Sequence, residues 1–141
     1  MPTYVVTHHT NRLQPAQKTN IVQAITQIHS QEGRAPQYLV QVIFNPIPPG
    51  DWFINARPVP ADQIWIRGDI RPGRTEEQKN RLCERMTAEC AAAVGIEGSF
   101  VWVYIVDADK TSEFGKVLPK PGEEAKWLEE IDGSVRERYG F

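Results

Sequence analysis

The sequence predicts an α+β fold: duplicated β–α–β units that form a four-stranded mixed sheet with two helices packed on one face. Two observations lead there. A β-branched run, an amphipathic helical period and a second β-branched run follow one another in that order, and the whole order then occurs again. The two copies are offset by roughly 62 residues, with Leu39 falling on Val101 and Val42 on Tyr104. That period is too long, and its copies too few, for a solenoid. A single domain over 1–141 is expected, with the first unit at 2–45, the second at 63–107 and a C-terminal tail at 114–141.

The first strand is expected at Thr3–His8, where β-branched residues dominate. Pro15 suits the first turn of a helix. After it, Ile21, Ile25 and Ile28 recur at helical spacing to about Gln31. Gly33 and Pro36 break the helix, and Tyr38–Phe44 reads as the second strand. Prolines 46, 48, 49, 58 and 60 then resist helix and central strand alike, so a loop is expected from Asn45. Within it, Trp52, Phe53 and Ile54 are apolar enough for a short packed strand.

In the second unit, Ile64–Ile70 is the strand. Thr75 with Gln78 makes a capping-box pattern at the helix start. Leu82, Met86, Cys90 and Val94 form the buried stripe, and Gly95 ends the helix. Phe100–Val106 is the closing strand. Each crossover should be right-handed. In the tail, Pro119 and Pro121 favour extended chain, and Glu123–Tyr139 is charge-rich and partly helical, with Trp127, Leu128 and Ile131 as anchors. One face of the sheet has nothing to cover it, which implies an oligomer.

Composition narrows the function. The chain has 141 residues, 40% apolar and 24% charged, so a folded core is affordable and disorder is not expected. A net charge of −2 provides no basic field for nucleic acid or anionic membrane. No apolar run approaches the roughly 20 residues that span a bilayer, and no signal-like leader is seen, so a cytoplasmic protein is expected. Cys83 and Cys90 lie two helical turns apart, about 10 Å by rise, too far for a disulfide. Both read as buried apolar side chains. The three histidines lack metal-ligand spacing, and no metal site is expected.

Four features can carry chemistry. Met1-Pro2 is the first: excision of the methionine leaves a secondary amine, a general acid or base near neutral pH. Pro2 opens directly into a strand, which would hold that nitrogen rigidly. Arg71-Pro-Gly-Arg74 is the second, two guanidinium groups ahead of a helix N-terminus. Arginine pairs match a carboxylate in plane, and no glycine-rich phosphate loop is present, so a carboxylate is favoured over two solvated surface arginines. His29 is the third, either a helix-terminal cation or a functional group. Tyr104 and Glu113 are the fourth: a core tyrosine and a surface glutamate, or a pair that positions and deprotonates a water.

These residues, in this order, resemble the tautomerase superfamily and, within it, the cis-3-chloroacrylic acid dehalogenase group. The resemblance runs over nearly the whole chain. It includes the Pro at the mature N-terminus, Ala24-Ile-Thr-Gln-Ile-His29, Tyr38–Phe44, Ile70-Arg-Pro-Gly-Arg74, Val101-Trp-Val-Tyr104, Glu113-Phe-Gly115 and Leu118-Pro-Lys-Pro-Gly122 with Trp127. It implies the tautomerase fold, a homotrimer and cofactor-independent chemistry on a small carboxylic acid. It also implies roles: Pro2 donates a proton to C2, Arg71, Arg74 and His29 hold the carboxylate, and Tyr104 with Glu113 activate water for attack at C3. Three functions stay open: hydration or hydrolytic dehalogenation of a short α,β-unsaturated acid, keto–enol tautomerisation of a 2-oxo acid with Pro2 as base, and a non-enzymatic trimeric binding protein if Met1 persists.

Overall fold

The computed structural model describes residues 1–120 and 122–140; Pro121, expected above to keep the tail extended, lies outside the described residues. The chain begins with strand β1 (Thr3–His9), helix α1 (Pro15–Gly33) and strand β2 (Gln41–Ile47). A hairpin of β3 (Phe53–Ile54) and β4 (Arg57–Pro58) follows, then β5 (Ile64–Ile70), helix α2 (Glu76–Val94) and β6 (Val101–Asp107). A second hairpin, β7 (Ser112–Glu113) and β8 (Lys116–Val117), leads into helices α3 (Glu124–Glu129) and α4 (Gly133–Tyr139). The main sheet has the order β2-β1-β5-β6. Its two outer pairings are parallel and the central β1–β5 pairing is antiparallel, so the sheet is mixed, as the duplication requires.

Alternation decides which face is buried. Tyr4, Val6, Ile64, Ile66 and Ile70 point one way and are buried against Ile21, Ile25 and Ile28 of α1 and the Leu82–Met86–Cys90 stripe of α2. The helices start from good local signals. Pro15 occupies the first turn of α1. At α2 the Thr75 hydroxyl accepts from the Gln78 N–H at 3.1 Å, and the Gln78 side chain accepts from the Thr75 N–H at 3.0 Å. Gly95 closes α2 in the left-handed region at φ 80°.

Three expectations need correction. Strand β2 runs through Asn45 and Pro46 to Ile47 instead of ending at Phe44. It is an edge strand, where a missing N–H need not break a ladder. Tyr38 and Leu39 wind into a 3-10 turn ahead of it. In the second strands the residues that face the helices, Val42 and Phe44 of β2 and Val103 and Ile105 of β6, fall at an offset of 61, not 62. Val42 therefore packs toward the helices, whereas Tyr104 is 49% exposed on the opposite face. Cys83 is only part-buried, while Cys90 is buried as expected; both are free thiols. The stretch after Asp107 holds the β7–β8 hairpin, whose Phe114-Gly115 corner has positive φ at both positions. Trp127 and Ile131 are buried, so the tail is anchored where expected.

Gly68 of β5 stands opposite Tyr4 of β1, and the Tyr4 ring lies over it. A Cβ on Gly68 would stand 2.3 Å from Cε1 of that ring. Gly68→Ala is therefore expected to destabilise the fold by about 1–3 kcal/mol through overpacking, whereas Gly133→Ala, with open space around it, should be near neutral. Urea denaturation decides: equal midpoints for the two variants would mean that the ring moves aside without cost.

Candidate active site

The sheet register gathers the site at one end of the molecule. Thr3 pairs with Gln41 on one side and Asp69 on the other, so Pro2 sits beside both the start of β2 and the end of β5. Because β1 and β2 are parallel, α1 must return to that same end, and α2 departs from it. Pro2, His29 near the end of α1, and Arg71 and Arg74 between β5 and α2 all line one cavity of about 350 Å³. Its apolar wall comes from Leu39 and from Leu118 and Trp127 of the tail.

Pro2 is buried, and its carbonyl accepts the Gln41 N–H at 2.9 Å. Met1 still precedes it, lines the same cavity, and donates its terminal amine to Glu113 on β7. Burial lowers the pKa of that amine, Glu113 raises it, and Arg71 and Arg74 push it down again; the net direction is down. The amine thus lies between an acidic and a basic group.

The two arginines are tied down differently. Arg71 donates to the Glu124 carboxylate and to the Pro119 carbonyl, fixing the tail against the site. Arg74 donates to the Arg71 carbonyl at 3.0 Å and to the Gly33 carbonyl at 3.1 Å. Gly33 closes α1, so Arg74 satisfies a carbonyl that the helix leaves unpaired. Burial, then the neighbouring Arg71, presses the Arg74 pKa below its usual value.

His29 is not a helix-terminal cation. It is fully buried, its Nδ1 lies 2.6 Å from the Tyr4 hydroxyl, and its Nε2 has no hydrogen-bond partner. Burial, and then the Arg74 charge, lower its pKa to about 4, so the ring is neutral at pH 7. Glu113 meets the terminal amine but lines an adjoining cavity, and its second carboxylate oxygen is buried and unpaired. Tyr104 does not join the others. It projects from β6 on the bare sheet face, edge-on to Trp65 at 5.5 Å between ring centroids. Three residues at the site carry no signal in the sequence reading: Tyr4, Glu124 and Arg34, an exposed residue in the left-handed region at the cavity edge.

A family model described as "Putative oxalocrotonate tautomerase enzyme" matches residues 1–131. The chain belongs to the tautomerase superfamily. It is 34% identical to N1, a member of the cis-3-chloroacrylic acid dehalogenase (cis-CaaD) family known from a crystal structure. That match covers 98% of each chain at a TM-score of 0.88, which places this tautomerase-superfamily chain in the same group. Native Ps01740 is 28% identical, over 76% of this chain and 94% of the other, with a TM-score of 0.71. A fused 4-OT, Q0, solved as a symmetric trimer, is 26% identical over 77% and 87%, with a TM-score of 0.70. No curated protein matches the sequence. Among the described residues, no helix of this superfamily member is long and apolar enough to cross a membrane.

The neutral state of His29 has a consequence for stability. Between pH 6.5 and about 4 the unfolded chain binds a proton that folded His29 does not. Stability therefore falls as pH falls through that window, by up to about 3 kcal/mol from this residue. Melting temperature against pH should drop less steeply in His29→Gln than in the unsubstituted protein; parallel curves would mean that His29 takes no part in the acid destabilisation.

Proposed function

We propose that the protein, once Met1 is excised, is a cofactor-independent enzyme that hydrates or hydrolytically dehalogenates a short α,β-unsaturated carboxylic acid. The observation that carries this reading is the position of Pro2, which lines one cavity with Arg71, Arg74 and His29, directly after a Met1 amine that contacts Glu113. A proton donor, a carboxylate cradle and a candidate base are thereby set around one small volume. Similarity to a cis-CaaD family member supports the substrate class.

The chemistry follows from charge. Water resists attack at C3 because negative charge builds toward the carboxylate. Arg71, Arg74 and the His29 ring stabilise that charge. The protonated amine of Pro2 gives its proton to C2 while Glu113 takes one from the water whose oxygen bonds to C3. With a halogen at C3, the adduct expels halide, and its hydroxyl loses a proton to leave an aldehyde acid.

Tyr104 enters through assembly. A homotrimer, the state of the similar fused 4-OT, would cover the bare sheet face. That face carries Tyr104, so one protomer's tyrosine would approach the water site of its neighbour.

A second reading is keto–enol tautomerisation of a 2-oxo acid, with neutral Pro2 as base. It is favoured by one observation: burial and both arginines lower the pKa of the Met1 amine, which shares its cavity with Pro2. It needs neither Tyr104 nor Glu113.

Met1-free protein, its start verified by intact mass, separates these readings when proton NMR follows cis-3-chloroacrylate and phenylenolpyruvate. The expected result is an aldehyde acid from the first substrate, with turnover reduced at least a hundredfold in Glu113→Gln. Turnover of the enol alone, unaffected by Glu113→Gln, would establish the base reading. A native protein that keeps Met1 has an amide at Pro2, and neither reaction would then be open to it.

A further inference from the structure

We propose that Tyr4 is a positioning residue: its hydroxyl donates to Nδ1 of His29 and holds the imidazole in the Nε2–H tautomer, making a buried histidine a fixed donor toward a ligand carboxylate. The carboxylate clause rests on the function proposed above; the tautomer clause does not.

The geometry distinguishes the two directions of the Tyr4–His29 bond. Both side chains have no exposed surface, and the contact is 2.6 Å, the length of a strong O–H···N bond. The pair has two protons and three places to use them. If His29 Nδ1 donated, the phenol proton would be left unpaired in the packed layer between Gly68 and α1, and a bare nitrogen lone pair would face an anion site. If the phenol donates, the unpaired proton is on Nε2. That atom is buried without a partner in the present chain, on a ring that lines the cavity. An unpaired donor is costly in the core but useful beside a pocket that receives an anion. Met1, whose excision the proposed function requires, lines the same cavity.

The surroundings enforce both protonation states. Burial pushes the Tyr4 pKa well above its ordinary value, so the phenol keeps its proton. Arg74 disfavours a second cation on the ring. The ring is also held in place sterically. A Cβ on Gly33 would lie 3.0 Å from Nε2 and 3.2 Å from Cε1 of His29, so glycine at the end of α1 makes room for this imidazole. Two backbone features thus serve one ring: Gly68 admits the Tyr4 phenol beneath it, and Gly33 admits the imidazole beside it.

Tyr4→Phe tests the idea because it removes one oxygen and leaves the ring packing. Met1-free, ¹⁵N-labelled protein would be examined by long-range ¹H–¹⁵N NMR, with His29→Gln used to assign the His29 signals, and propanoate titrated as an unreactive carboxylate. The unsubstituted protein should show neutral His29 protonated on Nε2 at pH 7. Tyr4→Phe should show mixed tautomers and about tenfold weaker propanoate binding, the loss of roughly one oriented hydrogen bond. Gly33→Ala should keep the Nε2–H tautomer yet bind propanoate more weakly, because the ring is displaced and not retautomerised. An Nδ1–H or doubly protonated His29 in the unsubstituted protein would overturn the proposal, as would a Tyr4→Phe spectrum with the tautomer unchanged. Absence of propanoate binding in the unsubstituted protein would overturn the carboxylate clause alone, since the tautomer is read independently of any ligand.

Discussion

The site depends first on the pinning of β1 inside the sheet. Chain ends usually fray because nothing pairs with their backbone. Here the second residue already accepts a hydrogen bond from Gln41, and the third pairs with strands on both sides. The start of the chain therefore has the rigidity of a central strand. Parallel pairing on one side and antiparallel pairing on the other then bring the end of α1 and the start of α2 to the same place. A frayed terminus would leave Arg71, Arg74 and His29 around an empty pocket; a pinned one gives them a nitrogen at a fixed position.

Much of the fold was legible because its signals are local. The helical stripes, the Thr75–Gln78 capping box and the β-branched runs each depend on residues within a few positions of one another. What failed depends on position in the sheet. Pro46 argues against a strand only if both strand edges must be paired, and β2 has a free edge. The alignment of the two units by composition placed Val42 on Tyr104, although one faces the helices and the other does not. A shift of one residue reverses the face of every side chain in a strand, and the apolar runs of β2 and β6 are too uniform to fix that register.

The same distinction applies to the site. Pro2, His29, Arg71 and Arg74 were nameable because terminal proline and paired arginines carry chemistry in their own identity, and the fold brings all four to one cavity. Glu113 meets the terminal amine, while Tyr104 is held away on the bare face within one chain. Tyr4, Gly33 and Glu124 went unread for a physical reason. Tyr4 looks like any apolar strand residue, Gly33 like a helix stop and Glu124 like one charge among many. Tyr4 and Glu124 acquire meaning only from partners far along the chain, His29 and Arg71; Gly33 is four residues from His29, but the ring it makes room for is placed by the fold.

The charges around the cavity are also arranged to keep it from collapsing onto its own arginines. Two guanidinium groups this close would repel each other and seek water. Arg71 is instead neutralised by Glu124 and tied to the Pro119 carbonyl, and Arg74 spans two carbonyls. Their positions are therefore set before any ligand arrives, which is what makes fixed dipoles and charges effective on a developing anion. The terminal nitrogen lies in the field of this arrangement. Burial and the arginines favour its neutral form, and Glu113 favours the protonated one. A chain that begins at Pro2 has its terminal nitrogen one residue nearer the strand, on a residue that lines the same cavity as both arginines. Under the function proposed above, the balance between Glu113 and the arginine pair would decide whether the amine gives a proton or takes one.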